Sequence, residues 1–454
     1  MATSLIQKYN IPGPRYTSYP TVPYWENEGF SAENWEKSML KTFKETNAKE
    51  GISLYIHLPF CENLCTFCGC HKRITKRHEV EHPYIEAVLK EWQLYIALFP
   101  EKPMIKEIHL GGGTPTFFSP SNLEKLITNI LQSSRLAIDY EFSFEGHPNN
   151  TTKEHLQTLF DLGFTRVSFG VQDYSEKVQK AINRLQSFHN VAKVTFWAKE
   201  IGYTSISHDL VFGLPFQTLE DVIDTIDKTN ALHPDRISFY SYAHVPWIKG
   251  NGQRGFLDED VPKNETKRTL YEEGKIRLAA NNYQEIGMDH FAIPEDKMYK
   301  AFKKGKLNRN FMGYTTTNTK LMIGLGVSSI SDSWTAFAQN EKELETYYQL
   351  ISQNYLPIFK GHNLTQEDLI IRTHIRNIMC EFQTSWNDES LRFEAIYEVL
   401  ESLHEMELDQ LITIQNNTLK VTEAGKPFIR NICMAFDLRL KRTIPTTKIF
   451  SMTI

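Results

Sequence analysis

The hydrophobic positions of this 454-residue chain fall into a repeating alternation of short apolar runs and helical-period segments from residue 51 onward. Residues 52–58 (ISLYIHL) read as a strand rich in β-branched and aromatic side chains. Val80, Tyr84, Val88, Trp92 and Tyr95 then recur at helical spacing. Further strands are predicted at 105–110, 140–144, 166–171, 205–212 and 236–242, with helices at 120–132, 152–161, up to about 201, 218–230 and 264–280. Six successive strand–helix units predict a parallel sheet with helices outside it, in a barrel or partial barrel. Residues 1–50 mix turn formers with Tyr and Trp (PGPRYTSYPTVPYW) and read as an arm laid over a domain. After residue 355 the pattern changes. Thr365 opens a helix with Ile371, Ile375, Ile378 and Phe382 on one face; 411–415 and 418–421 flank the hairpin signal Asn416-Asn417; and a helix is predicted to contain 423–437. This predicts three parts: an arm (1–50), a barrel with its extension (51–355) and a small, mainly helical, winged-helix-like domain (356–454) with a lid or packing role.

Each predicted strand ends in a polar or glycine-rich feature. Cysteines follow the first strand, and Gly111-Gly112-Gly113-Thr114-Pro115 follows the second. Glu145 ends the third and Gln172 the fourth; Asp209 lies on the fifth, and Tyr242-Ala243-His244 ends the sixth. In βα barrels these ends share one face, where active sites lie.

Composition narrows the function. There are 55 acidic and 50 basic residues, for a net charge of −5, which speaks against a nucleic-acid or membrane-surface partner. No secretory signal or bilayer-length apolar stretch is visible, so a cytoplasmic protein is expected. Of six cysteines, Cys61, Cys65, Cys68 and Cys70 lie within ten residues, which reads as a metal site; Cys380 and Cys433 read as buried apolar residues. The pattern C-x3-C-x2-C-x-C suits zinc or an iron–sulfur cluster. Zinc sites usually pair two knuckles across a longer loop, so four thiols in one turn favour the cluster. Glycines 111–113 would let a ligand approach backbone N–H groups, or would simply make a tight turn. Glu145 and Asp209 could accept bonds from ribose hydroxyls or balance a cationic ligand. The run His71–His78 is a solvated face, or a cationic rim for an acidic substrate or electron donor.

At Tyr55-Ile56-His57-Leu58-Pro59-Phe60-Cys61 the chain resembles the HemN family of oxygen-independent coproporphyrinogen III oxidases, radical S-adenosylmethionine (SAM) enzymes. RYTSYP (15–20), GGGTPT (111–116), GVQD (170–173), GLP (213–215), GMDHFA (287–292), RNF (309–311), GYTT (313–316) and RNICMAFD (430–437) extend the likeness over nearly the whole chain. The resemblance implies a partial (β/α) barrel with an N-terminal arm and a C-terminal helical domain. It implies that Cys61, Cys65 and Cys68 ligate a [4Fe–4S] cluster and that Cys70 is a non-ligand catalytic residue. Two SAM molecules are implied. Tyr55, Gly112, Glu145 and Ile330 match contacts of the cluster-bound one; Gly113, Thr114, Gln172, Arg184, Asp209 and Ala243 match contacts of the second. Phe311 and Arg309 match an active-site stretch. Arg15, Arg73 and Arg309 are candidate partners for substrate carboxylates. The implied reaction converts two propionates of coproporphyrinogen III to vinyl groups through a SAM-derived 5′-deoxyadenosyl radical. A reductase or flavodoxin-type electron donor and a monomeric chain are expected.

Three positions depart from the family pattern: Glu145-Gly146-His147-Pro148, His71 after the fourth cysteine, and Met312 where Gln is usual. Other readings are a haem-degrading radical SAM relative, a haem chaperone on the same barrel, and a zinc-stabilised winged-helix nucleic-acid binder. Cys70 and the RYTSYP arm favour the oxidase over the chaperone, and charge and barrel pattern disfavour the nucleic-acid binder.

Overall fold

The structure, a computed structural model, describes residues 4–26, 28–247, 252–443, 445 and 447–453. The six anticipated strands form, at Ile52–Leu58, Met104–Gly112, Arg135–Gly146, Phe164–Gln172, Ser205–Phe212 and Arg236–Ser241. They pair in parallel and in sequence order, with registers such as Tyr55 opposite His109, His109 opposite Ser143, and Asp209 opposite Ser238. Helices Glu81–Leu98, Pro120–Gln132, Lys153–Asp161, Phe188–Ile201, Leu219–Leu232 and Asn264–Ala280 connect the strands or follow them. This is a partial (β/α) barrel. Its sheet does not end there: Met322–Leu325 adds in parallel to the first strand, three antiparallel strands extend that edge, and two short antiparallel strands extend the other.

Strand periodicity sorts the side chains. Ile52, Leu54, Ile56, Leu58, Ile105, Ile108, Leu110, Phe142 and Phe144 join the main apolar core with Tyr84, Val88, Trp92 and Tyr95 of the outer helix. The alternate positions are polar and face inward: Ser53, Tyr55 and His57; Glu107 and His109; Glu141, Ser143 and Glu145; Arg166 and Ser168; Asp209; Arg236 and Ser238. The barrel therefore has an apolar outside and a polar inside.

The first fifty residues hold more structure than the sequence pattern predicts. Helix Ala32–Thr46, capped by Ser31, buries Trp35, Met39 and Phe43 in the main core. The segment before it runs into the C-terminal part: Tyr9, Tyr16 and Tyr19 share a second core with Ile371, Ile375 and Ile378. There the Tyr16 hydroxyl donates to Asp437 at 3.0 Å, and Arg430 donates to Pro14 O at 2.9 Å.

The C-terminal part has helix Gln366–Glu381 with the Thr365–Asp368 capping box, and a hairpin of Ile412–Gln415 and Thr418–Val421. Asn416 and Asn417 both take positive φ, as a tight hairpin turn requires. The helix predicted to contain 423–437 is shorter, spanning Ile429–Phe436. Gly425 and Pro427 hold the preceding residues in a turn and a short 3₁₀ segment.

Candidate functional site

The loop after the first strand carries all four clustered cysteines to the carboxy ends of the strands. Phe60–Cys61 pairs in parallel with Arg73–Ile74, and Thr75 N–H donates to Cys61 O at 2.9 Å, so the loop closes on itself. Lys72 Nζ donates to Cys68 O at 3.1 Å and Cys70 O at 3.3 Å, bracing its turn.

Two cavities meet at these cysteines. The smaller, about 260 Å³, is lined by Cys61, Cys65, Gly113, Thr114, Gln172, Arg184 and Asp209. The larger, about 890 Å³, is lined by Tyr55, His57, His109, Phe311, Met312 and Ile330. Cys68, Cys70, Lys72, Gly112 and Glu145 border both. Among the expected site residues, Ala243 and Arg309 line neither. Ala243 O accepts from Gln253 at 2.8 Å. Arg309 lies over the Tyr314 ring and borders a third, smaller cavity toward the C-terminal part. Arg73 does reach the rim of the larger cavity, where it is paired with Glu343 and Glu345 at 3.1 Å. Arg15 is 3.6 Å from Asp289, away from both.

The glycine run has a steric reason. Gly112 has φ +115°, and a Cβ there would come within 2.7 Å of the His57 ring. A Cβ on Gly113 would lie 2.5 Å from Pro59 O. Backbone N–H groups of Gly113 and Thr114 donate to Leu58 O and Phe60 O, tying the run to the cysteine loop. Gln172 has φ +69° at a register shift between the fourth and fifth strands, a strained backbone of the kind concentrated at functional sites.

Electrostatics divides the lining. Burial pushes Asp209 up to about 6, against the Ser168 hydroxyl that donates to it at 2.6 Å. His57, hydrogen-bonded at Nδ1 to the Tyr55 hydroxyl and at Nε2 to His71 O, is pushed down to about 4 by burial and is neutral. Burial holds the Cys61 thiol up at about 11, whereas contact between the Cys68 and Cys70 thiols holds Cys68 down and Cys70 up.

The donor set fits an iron–sulfur cluster. Thr114 Oγ1 donates to Cys61 Sγ at 3.3 Å, and Arg184 Nη1 is 3.7 Å from Cys65 Sγ. Two of the three thiols thus have a donor of the type that stabilises a cluster-bound thiolate. Arg184 is anchored by Nη2 to Gly170 O at 2.6 Å, and its buried Nε has no hydrogen-bond partner among the described residues, which leaves a donor beside the smaller cavity. Among the described residues no three His, Cys, Asp or Glu side chains converge on a single ion position. A cubane distributes its thiolates over separate irons, so its ligands need not converge.

The sequence pattern marks neither Ser168 nor His109 as a site residue, and marks Lys72 only as part of the cationic run 71–78. His109 lies between Ser143 Oγ (2.8 Å) and Glu145 Oε1 (3.4 Å). Inward alternation on the strands is the signal that could have found Ser168 and His109.

Comparison with known proteins points the same way. A model of the radical SAM superfamily matches residues 55–229. Oxygen-independent coproporphyrinogen III oxidase from Salmonella typhimurium is 37% identical over 444 residues, covering 97% of this chain and 95% of that protein. The enzyme of the same name from Helicobacter pylori strain 26695 is 38% identical over 443 residues, covering 96% of each. The solved structure of coproporphyrinogen III oxidase (HemN) from Escherichia coli superposes with a TM-score of 0.87 at 35% identity, covering 93% of this chain and 97% of that one. Among the described residues, no helix is long and apolar enough to cross a membrane.

Proposed function

Because the chain belongs to the family of oxygen-independent coproporphyrinogen III oxidases of the radical SAM superfamily, we propose that it converts coproporphyrinogen III to protoporphyrinogen IX. Each of two propionates loses one hydrogen atom, carbon dioxide and one electron, and becomes a vinyl group. The [4Fe–4S] cluster and SAM, when bound, supply the 5′-deoxyadenosyl radical that takes the hydrogen atom. The chain's residues supply placement and exclusion.

The observation that carries the finer reading is how the expected ligand contacts divide. Tyr55 and Ile330 line only the larger cavity, and Gly112 and Glu145 border both, which supports one SAM in the larger cavity against the cysteine loop. Gly113, Thr114, Gln172, Arg184 and Asp209 all line the smaller one, which supports a second SAM. On this reading Cys61, Cys65 and Cys68 would hold the cluster; Cys61 and Cys65 line the smaller cavity and Cys68 borders both. Cys70, Phe311 and Met312 face the larger cavity, where its volume of about 890 Å³ leaves room for a tetrapyrrole beside SAM. Phe311 packs perpendicular to both Trp25 and Phe337, which are stacked on each other, so its ring is a fixed apolar wall. A reductase or flavodoxin-type carrier would deliver the electron.

The test is anaerobic reconstitution followed by incubation with SAM, a reductant, an electron acceptor and coproporphyrinogen III. Methionine, 5′-deoxyadenosine, carbon dioxide and protoporphyrinogen should form together. Deoxyadenosine without any decarboxylated product, across several donors and acceptors, would rule the reading out and leave the cluster assignment intact.

A further inference from the structure

The third cavity lies where the N-terminal arm, the hairpin of Asn308–Asn310 and Gly313–Thr315, and helix Gln366–Glu381 meet. It is about 40 Å³, room for two to four water-sized groups at roughly 10–15 Å³ each and too small for a ring. Three guanidinium groups border it, Arg309, Arg372 and Arg376, against a single carboxylate, Asp332.

The pairing is uneven. Arg372 takes the whole of Asp332, with Nη1 at 3.1 Å and Nη2 on the second oxygen, and also donates to Trp334 O at 2.9 Å. Among the described residues Arg309 reaches only two backbone carbonyls, Tyr16 O at 3.4 Å and Arg15 O at 3.3 Å, and its solvent-shielded Nη1 has no hydrogen-bond partner. Arg376 forms no ion pair among the described residues; its guanidinium lies 5.3 Å from the Trp334 ring centre. Burial, outweighing the opposing field of Glu381, lowers its proton affinity, as expected of a cation held from water without a direct ion pair. The neighbouring basic cavity differs. There Arg15 faces Asp289 at 3.6 Å, Lys275 faces Glu285 at 2.6 Å, and Arg430 is spent on the carbonyls of Gly13, Pro14 and Met452.

Two partly buried guanidiniums with no carboxylate in direct contact among the described residues, beside a cavity of a few atoms' volume, have the composition of an anion site; Asp289 and Glu381 act on them only at longer range. We propose that Arg309 and Arg376 form a carboxylate-binding site distinct from the two cavities at the cysteine loop. Arg309 lies two residues before Phe311, which lines the larger cavity, so the two spaces are neighbours across one short hairpin. The carboxylate has two sources, a propionate of a bound tetrapyrrole or a free organic acid. The first rests on the function proposed above; the second does not.

The experiment uses iron-loaded, full-length protein and sodium propionate as probe. Propionate should raise the thermal midpoint of the native chain in a saturable manner. Arg376→Gln should weaken that protection about tenfold or more. Arg376→Lys, which keeps the charge without the fork, should fall between. Iron content and circular dichroism establish that each variant is folded. If Arg376→Gln also raises the KM for coproporphyrinogen III while leaving the KM for SAM unchanged, the carboxylate is the substrate's. If protection falls and that KM stays, a free acid fills the site. Protection by propionate that is the same in the native chain, Arg376→Gln and Arg376→Lys, or absent from all three, would overturn the site, whatever the enzyme's activity on tetrapyrroles.

Discussion

Ser53, Glu107, Glu141, Arg166 and Arg236 occupy inward positions near the amino ends of the barrel strands. Tyr55, His109, Glu145, Ser168 and Asp209 occupy inward positions nearer the carboxy ends. Below, polar groups are answered within the chain. Glu107 accepts from Ser53 and Thr315, each at 2.8 Å, and Glu141 is paired with Arg166. Asp296 accepts from Arg236 Nε and Ser205 Oγ, each at 2.8 Å. Arg236 Nη1 and Nη2 lack hydrogen-bond partners among the described residues but sit in the field of Glu141 and Asp296. Above, the polar groups border open space: Glu145 and Asp209 line cavities, and Arg184 keeps an unused donor. Inward polarity alone is therefore not a sign of function. A buried polar group paired within the chain fastens the barrel, and one facing a cavity awaits a ligand.

The sharpest way to break this contrast is at the top. Cys61→Ser, Cys65→Ser or Cys68→Ser should each remove the iron and the brown chromophore of anaerobically prepared protein and abolish SAM cleavage, with the fold retained. Cys70→Ser should keep the iron, about four per chain, and lose turnover. Substantial iron loss from Cys70→Ser would show that it is a ligand, and stoichiometric zinc in place of iron would end the cluster reading.

A change at the bottom should do the reverse. Asp296 and Arg236 have side chains 1% and 5% exposed, so Asp296→Ala strands a buried cation and should cost about 3–5 kcal/mol in stability. Its iron content per folded chain should match the native protein. Denaturant unfolding and iron analysis on the same sample check both halves; a loss of iron without a loss of stability would put this lower layer in the functional site.

The contrast also explains what the sequence revealed. The six strands were legible because their outward faces are apolar and they end in turn signals. The cysteine loop was legible from spacing. The division between the two layers was not, because Glu107 and Glu145 look alike in a string of letters and differ only in what lies opposite. Helix Ala32–Thr46 carried a readable signal in Trp35, Met39 and Phe43 at four-residue spacing, obscured by the turn-rich segment before it. Strand Met322–Leu325 is buried at every position and so shows no alternation. Arg376 was hidden because helix Gln366–Glu381 was read only by its apolar face.

A subtler test compares protonation. Asp209 stands at about 6 in the folded chain against 3.8 when solvated. Between these values the folded chain holds a proton that the unfolded chain has released, so stability falls as pH rises across that window. Asp209→Asn should remove this part of the slope, leaving the variant relatively more stable at pH 7 than at pH 4. Unfolding midpoints measured across that range should diverge in this direction; parallel curves would mean that Asp209 is already ionised and answered by a cation.

The smallest expected effect is at Met312. Its side chain lines the larger cavity, at a position where the family resemblance leads one to expect Gln, and its backbone N–H is held by Asn310 Oδ1 at 2.9 Å. That hydrogen bond belongs to the turn and survives any substitution of the side chain except Pro. Met is unbranched and polarizable, and can pack against an apolar macrocycle in space that Gln would fill with an amide. Because the cavity is open, an amide introduced there can be hydrated and leaves no buried polar group unsatisfied. Met312→Gln should therefore keep its iron and its stability, and change kcat and KM for coproporphyrinogen III by no more than about threefold, under 1 kcal/mol. If Met312→Gln instead gains decarboxylation that the native chain lacks, the upper layer of this barrel is shaped for a different tetrapyrrole, and the methionine is what excludes the usual one.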